Sequence, residues 1–280
     1  MIIARTRQEL SQKLKLLSKK PGKLSLIPTM GNLHDGHLSL LKIAKIHSTK
    51  TIATIFVNPL QFGKNEDYDK YPRTQNLDIE KLEKEECDIL FLPNNQDEVF
   101  EDTNKIKQID SGPLGSELCG KLRPNHFNGV LTVVHKIFDI IKPDIAIFGA
   151  KDFQQQVLIK RMAKSYFPDL TIIKGPTIRS KSGLALSSRN NYLSSKNLIL
   201  ASNLFKCLQN SIKSYERNKD INEIIQNAMD FLKSKKLIVD YFELRDNELN
   251  TIEKNHHAGK KIFLGSVTIN NTRLIDNIEF

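Results

Sequence analysis

The chain of 280 residues reads as an α/β protein: a Rossmann-like, doubly wound parallel sheet with a smaller C-terminal α+β domain. Three observations predict this. Short apolar runs alternate with helical patterns over the first two-thirds, as parallel βαβ units require. Thr51–Val57 (TIATIFV) is a continuous, largely β-branched run, suited to a strand buried on both faces. After about residue 176 the order changes to helices followed by strands.

The elements follow in turn. Thr6-Arg7-Gln8-Glu9 matches a capping box ahead of an amphipathic helix, a structural signal only. Ser25–Ile27 reads as a strand and Gly36–His47 as a helix. Thr51–Val57 is the next strand, Asn76–Glu86 the next helix and Ile89–Leu92 another strand. Val130–Ile141 (VLTVVHKIFDII) suits a buried helix ended by Lys142-Pro143. Strand Asp144–Phe148, helix Asp152–Tyr166 and strand Leu170–Ile173 close the first domain, residues 1–176. Thr177–Asn191 is rich in Ser and Gly and too polar to bury. The second domain, residues 177–280, continues with helices near Ser195–Tyr215 and Ile221–Lys235. Its strands are Ile238–Leu244, Lys261–Ile269 and Thr272–Asp276. No internal repeat is visible.

Composition narrows the class. With 39% hydrophobic and 26% charged residues, the chain can bury a core. No apolar run is long enough for a membrane span, and the N-terminus has no apolar signal core. Cys87, Cys119 and Cys207 lie far apart without a C-x-x-C pair, which argues against zinc ribbons and disulfides. A reducing cytoplasm is the expected location. The net charge, 42 − 32 = +10, admits nucleic acid, an anionic membrane or small phosphates as partners. The lysines are scattered and tryptophan is absent, so a solvated surface is favoured over a nucleic-acid footprint.

Four segments carry candidate chemistry. Pro28–His37 (PTMGNLHDGH) follows a strand and opens a helix, the place where open α/β sheets bind ligands. Gly31 and Gly36 permit close backbone approach, and free N–H groups at the helix start would form an anion site. His34 and His37 stand one helical turn apart, so both imidazoles can donate to a polyphosphate as charge moves onto its leaving oxygens. A metal site or two surface histidines are the rivals. Two imidazoles alone do not complete a zinc set, and the strand-to-helix position with flanking glycines favours the phosphate reading.

Phe148–Gln156 (FGAKDFQQQ) repeats the strand-to-helix junction, with Lys151 as a cation for phosphate and Asp152 as either N-cap or ligand. Ser187-Ser188-Arg189 offers two hydroxyls and a guanidinium as a lid over a triphosphate, although such a tripeptide is also ordinary loop composition. In Val57–Gly63 (VNPLQFG), Asn58 and Gln61 are amides suited to hydroxyls or a carboxylate. Elsewhere the signal is weaker. Arg123 and His126 sit in the loop-like KLRPNHFN. His256-His257 reads as solvated surface, and His135 as a satisfied core histidine.

Together these segments resemble the pantoate–β-alanine ligases (pantothenate synthetases) of the cytidylyltransferase-like superfamily. PTMGNLHDGH is similar to the family's HIGH-type motif, FVNPLQFG to its pantoate-site segment, GAKDFQQ to its Lys-Asp strand end and ALSSRN to its KMSKS-like loop. YPRT at Tyr71–Thr74 and KLRPNHFNGV at Lys121–Val130 also look familial. The match runs in order over roughly the first 190 residues. It implies that pantoate's carboxylate attacks the α-phosphate of ATP, giving pantoyl adenylate and pyrophosphate, and that β-alanine's amine then releases pantothenate and AMP.

The resemblance also implies residue roles. Met30, Gly31, Asn32, Leu33, His34, Asp35, Gly36 and His37 would line the ATP site. His37 would be the general acid toward pyrophosphate, with His34 beside it. Gln61 and Gln155 would hold pantoate, and Gln61 would also touch β-alanine. Gly149, Ala150, Lys151, Asp152, Ile178, Leu186, Ser187, Ser188 and Arg189 would complete the nucleotide site, with Lys151 and Arg189 on phosphates. Mg2+ is implied through the ATP phosphates, and a cytoplasmic homodimer as the assembly. One departure is visible: Ala150 stands where the family's G-E-K-D has glutamate. Another HIGH-type adenylyltransferase and a nucleic-acid-binding protein are the competing readings; the paired amides Gln61 and Gln155 favour a small hydroxy acid.

Overall fold

A computed structural model describes residues 1–64, 66–252 and 259–280. His256-His257 lies outside the described residues. The chain divides into two compact units: Met1–Ala150 with Gln155–Pro176, and Lys151–Gln154 with Thr177–Phe280. No helix among the described residues is long and apolar enough to cross a membrane.

The first unit is a parallel sheet flanked by helices. Its strands are β1 (Ile2–Ala4), β2 (Leu24–Thr29), β3 (Lys50–Ile55), β4 (Ile89–Phe91), β5 (Ile145–Gly149) and β6 (Thr171–Gly175). The helices are α1 (Arg7–Ser18), α2 (Asp35–His47), α3 (Gln75–Lys84), the short α4 (Asp97–Phe100) and α5 (Cys119–Leu122), α6 (His126–Ile141) and α7 (Phe153–Tyr166). The spatial order β1-β4-β3-β2-β5-β6 winds outward in both directions from the β2/β5 pair, so that pair is the switch point where such sheets open a crevice.

β3 is buried at every position, which is why its run shows no alternation. Ile27, Leu41, Ala53, Leu90 and Ile147 form a core between the sheet and its helices. β1, an edge strand paired with β4, has too few residues to stand out in MIIARTR. The Thr6–Glu9 box is half formed. Thr6 Oγ1 accepts from Glu9 N–H, but the Glu9 carboxylate accepts from Arg5 N–H at 2.7 Å instead of from Thr6.

Pro28 shapes the switch point. β2 pairs with β3 as far as Thr29↔Ile55, whereas its pairing with β5 ends at Leu26↔Ala146. Leu24 C=O accepts from Asp144 N–H on the β5 side, and Thr29 C=O from Phe56 N–H on the β3 side. By strand alternation Pro28 therefore faces β5, and it has no N–H to extend that ladder. The two strands part toward their carboxyl ends.

In the second unit, β7 (Ile238–Asp246), β8 (Lys261–Ile269) and β9 (Thr272–Glu279) form an antiparallel sheet in that order. α9 (Asn203–Glu216) packs on β8 and β9, and α10 (Ile221–Ser234) on β7. Leu208, Leu232, Phe263 and Val267 are central to this core. The single helix expected over Ser195–Tyr215 is in fact α8 (Ser195–Ala201) and α9, broken at Ser202. There Ser202 Oγ donates to Ile199 C=O and Asn203 Nδ2 to Leu200 C=O, so side chains take carbonyls that a continuous helix would use.

Thr177–Asn191 also departs from expectation. It buries Leu184, Ala185 and Ser188, because an Arg179↔Ala185 bridge and a 3-10 turn at Ser188–Tyr192 satisfy part of its backbone. His135 is half-buried, not core, with its ring edge-on to Tyr166 and Phe167; burial lowers its pKa, favouring the neutral ring at pH 7. Cys87, Cys119 and Cys207 are buried and not in disulfides, and burial pushes the Cys87 thiol up to about 11.

Gly129 sets the distance between α6 and the 3-10 turn Pro59–Gln61. A Cβ there would run into the carbonyl of Leu60 and lie 2.7 Å from Gln61 N, both backbone groups that cannot swing away. Gly129→Ala is expected to push that turn off the helix and to lower stability by about 1–3 kcal/mol in urea melts. Parental stability would contradict the packing.

Candidate active site

The segment after β2 is held by backbone hydrogen bonding that its sequence does not advertise. Gly31 has φ +83°, and a Cβ there would come within 3.1 Å of Asp78 Oδ2 and of Ile55 Cγ2. Asn32 is also left-handed, with φ 49°. The tight turn aims the amides of Asn32 and Leu33 at the buried Asp78 carboxylate on α3, at 2.9 and 2.7 Å. Thr74 Oγ1 donates to the same carboxylate, and Lys81 Nζ donates to Leu33 C=O at 2.6 Å. Gly31 N–H is taken by Thr29 Oγ1.

His34 is the N-cap of α2 and forms a reciprocal box with His37. His34 Nδ1 accepts from Gly36 N–H at 3.1 Å, and His37 Nδ1 accepts from His34 N–H at 3.3 Å. The rings are in contact, centroids 4.1 Å apart and planes tilted by 36°. A neutral imidazole that accepts at Nδ1 carries its proton on Nε2. Both rings are therefore set as Nε2–H donors of one tautomer. This corrects the expectation of free amides at the helix start: Gly31, Asn32, Leu33, His34 and Gly36 all donate within the segment or to Asp78. Asp35 is exposed, and Met30 is half-buried.

Gln61 is the second focus. Its amide Nε2 points to Met30 Sδ at 3.1 Å, and its Oε1 accepts from Asn58 Nδ2 at 3.1 Å. Asn58 also donates to Gly129 C=O and accepts from Leu60 N–H. It thus supports Gln61, and its expected role of fixing hydroxyls or a carboxylate is not what the structure gives it. Arg123 and His126, read only as parts of a loop, belong to the same cluster. His126 opens α6, its Nδ1 lies 2.7 Å from Gln61 C=O, and Arg123 donates to that carbonyl at 3.3 Å. Arg123 also forks onto Glu66 at 2.5 and 2.6 Å. Partial burial raises the Glu66 pKa, but Arg123, the Gly63 amide and His126 outweigh it and hold the carboxyl below its ordinary value. Gln155 is half-buried on α7.

At the end of β5, Gly149 and Ala150 reach the same carboxyl edge as Thr29, since β2 and β5 are parallel neighbours. Lys151, next in the chain, begins the second unit's share of Lys151–Gln154. It sits in a 3-10 turn, Ala150–Asp152, and its ammonium pairs with Asp152 Oδ1 at 3.3 Å. The turn leads directly into α7. Within the same unit, Ile178 C=O accepts from Leu186 N–H, and Ser187 Oγ caps the following turn by accepting from Arg189 N–H. Ser188 is buried, and Arg189 half-buried. The structure thus brings together His34 with His37, Met30 with Gln61, and Ile178 with Leu186–Arg189. Among the described residues no group of three or more His, Cys, Asp or Glu side chains is arranged to hold a metal ion.

Asp78→Ala would orphan two buried amides, each costing about 1–3 kcal/mol. We expect a stability loss of about 2–5 kcal/mol in chemical denaturation, partly recovered by Asp78→Asn, which keeps one acceptor oxygen. Equal stability of all three proteins would contradict the bracing role.

Known proteins similar to this chain identify its family. A family described as pantoate-beta-alanine ligase matches residues 2–279. The pantothenate synthetase of Psychrobacter cryohalolentis is 42% identical over 259 residues, covering 91% of this chain and 90% of its own. That of Neisseria meningitidis serogroup C is 40% identical over 270 residues, 96% of each. The crystal structure of pantothenate synthetase from Thermus thermophilus superposes with a TM-score of 0.91 at 33% identity and 99% coverage of both chains. A pantoate-beta-alanine ligase from Francisella tularensis, complexed with beta-gamma ATP and beta-alanine, gives a TM-score of 0.82 at 32% identity, covering 99% of this chain and 97% of that one. The chain belongs to the pantoate–β-alanine ligase family.

Proposed function

We infer that the protein joins pantoate to β-alanine at the expense of ATP, through pantoyl adenylate, releasing AMP and pyrophosphate. The observation that carries this reading is the pair of adjacent imidazoles, each accepting an amide N–H at Nδ1, at the carboxyl end of β2 beside the β2/β5 switch point. A carboxylate is a poor acyl donor at pH 7, and adenylation gives it a good leaving group. The protein's task is to align the reactants and to stabilise charge as it moves onto pyrophosphate.

In this reading Met30–His37 bind ATP. Neutral and accepting at Nδ1, His37 serves the departing pyrophosphate as an Nε2–H hydrogen-bond donor in place of the full proton transfer of a general acid, and His34 Nε2–H donates beside it. Magnesium enters as part of the substrate, MgATP, carried on the phosphates. Gln61 and Gln155 hold pantoate, with Gln61 fixed by Asn58, Arg123 and His126. Lys151 and Arg189 are assigned to the phosphates. Gly149, Ala150, Asp152, Ile178, Leu186, Ser187 and Ser188 complete the nucleotide contacts. Residues 1–176 form the ATP- and pantoate-binding domain, and 177–280 the second domain with its KMSKS-like loop. The assembly proposed is a cytoplasmic homodimer without nucleic acid as a partner.

The purified chain should catalyse pantoate-dependent ATP–pyrophosphate exchange without β-alanine, and release AMP when β-alanine is added. His37→Ala and Lys151→Ala should each lower turnover by a factor on the order of 10² with the fold intact by circular dichroism. Exchange that is independent of pantoate, or near-normal turnover in both variants, would refute the reading.

A further inference from the structure

Strand β9 breaks the alternation expected of a strand with one covered face, because Asp276 and Asn277 are buried side by side. Two adjacent buried polar residues need partners, and both find them within the second unit. Asp276 takes the Arg179 guanidinium in a two-pronged pair at 2.5 and 2.9 Å. Arg179 also donates to Asn277 C=O and to Gly183 C=O, and lies over the Phe205 ring at 3.9 Å. Asn277 N–H donates to Asp276 Oδ1 at 2.8 Å, and Asn277 Nδ2 donates to Lys151 C=O at 2.8 Å.

The cluster runs two ways. Through Asn277 it grips the peptide of Lys151. Through Arg179, bridged to Ala185, it holds the hairpin that leads into Leu186–Arg189. A buried ion pair of this kind is weak ground for stability alone, but it is well suited to fixing chain segments that are distant in sequence. With the Lys151 carbonyl held, the peptide plane that follows Lys151 is anchored, and with it the point from which the lysine stem leaves the turn.

We propose that Asn277, backed by Asp276 and Arg179, is the positioning residue for Lys151, orienting its ammonium for the adenylation step. The proposal rests on the reading of Lys151 as a phosphate ligand. The Asn277 side chain reaches the site through the Lys151 carbonyl, whereas its backbone C=O, which a substitution keeps, holds Arg179, so the effect of changing the side chain must depend on that lysine being present.

A double-mutant cycle tests this in the intact protein, read as kcat/KM for ATP in pantoate-dependent pyrophosphate exchange. Asn277→Ala should lower that value about tenfold in the parental background. In the Lys151→Ala background it should lower it less than about twofold. Asn277→Leu, close to asparagine in shape and needing no polar partner, should behave like Asn277→Ala and covers the case in which the alanine cavity is not tolerated. Equal falls in both backgrounds would overturn this proposal while leaving the lysine's assignment intact. Undiminished exchange by Lys151→Ala alone would remove that assignment, and this proposal with it.

Discussion

A missing hydrogen-bond donor governs the first unit. Pro28 faces β5 without an N–H, so the ladder between β2 and β5 ends at Leu26↔Ala146 while β2 keeps its pairing with β3 to Thr29↔Ile55. The two central strands of an outward-wound sheet are thereby parted at their carboxyl ends, where the segments after β2 and β5 begin. A residue with an N–H at this position would allow the ladder to continue toward the mouth of the crevice. The placement of His34, His37 and Ala150 at one edge follows from this local rule together with the strand order.

A second constraint is electrostatic. In many phosphate sites the backbone amides of a glycine-rich turn cradle the anion. Here the amides of Asn32 and Leu33 serve the Asp78 carboxylate, and those of His34 and Gly36 serve imidazole nitrogens. The backbone hydrogen bonds thus stiffen the turn, and in the proposed function donor capacity toward the phosphates is left to the side chains. The division also fixes chemistry. A neutral imidazole whose Nδ1 accepts from an amide carries its proton on Nε2, so two such rings in contact make a pair of neighbouring donors.

Much of this is legible in the amino-acid sequence, and what is not has a physical pattern. Strands β2 to β6 and the longer helices α1, α2, α3, α6 and α7 announce themselves through apolar runs and periodicity, the four-residue α4 and α5 do not, and the spacing of His34 and His37 predicts the neighbouring rings that the structure shows. What escapes are interactions whose partner lies far along the chain. Asp78 reads as one more acid on a polar helix until its carboxylate is seen under the turn 46 residues earlier. Arg123 and His126 look like loop residues until both meet Gln61 C=O. Asp276 and Asn277 have no local signature beyond two polar residues in a strand. The break at Ser202 and the burial of Leu184 and Ala185 escape for the converse reason: short-range side-chain bonds override a helical period and a polar average. The nucleotide- and pantoate-binding roles come through motif resemblance, which local periodicity does not carry.

The central claim is that both imidazoles at the start of α2 are locked by their Nδ1 atoms and present Nε2–H to the phosphates of ATP. Long-range proton–nitrogen NMR of the histidine side chains tests this most directly, with His34→Gln and His37→Gln assigning the two rings among the seven histidines. At a pH where the rings are neutral, both should show a bare Nδ1 and a protonated Nε2, and a non-hydrolysable ATP analogue should shift both Nε2 resonances. A protonated Nδ1 in either ring, or Nε2 signals indifferent to the nucleotide, would contradict the account.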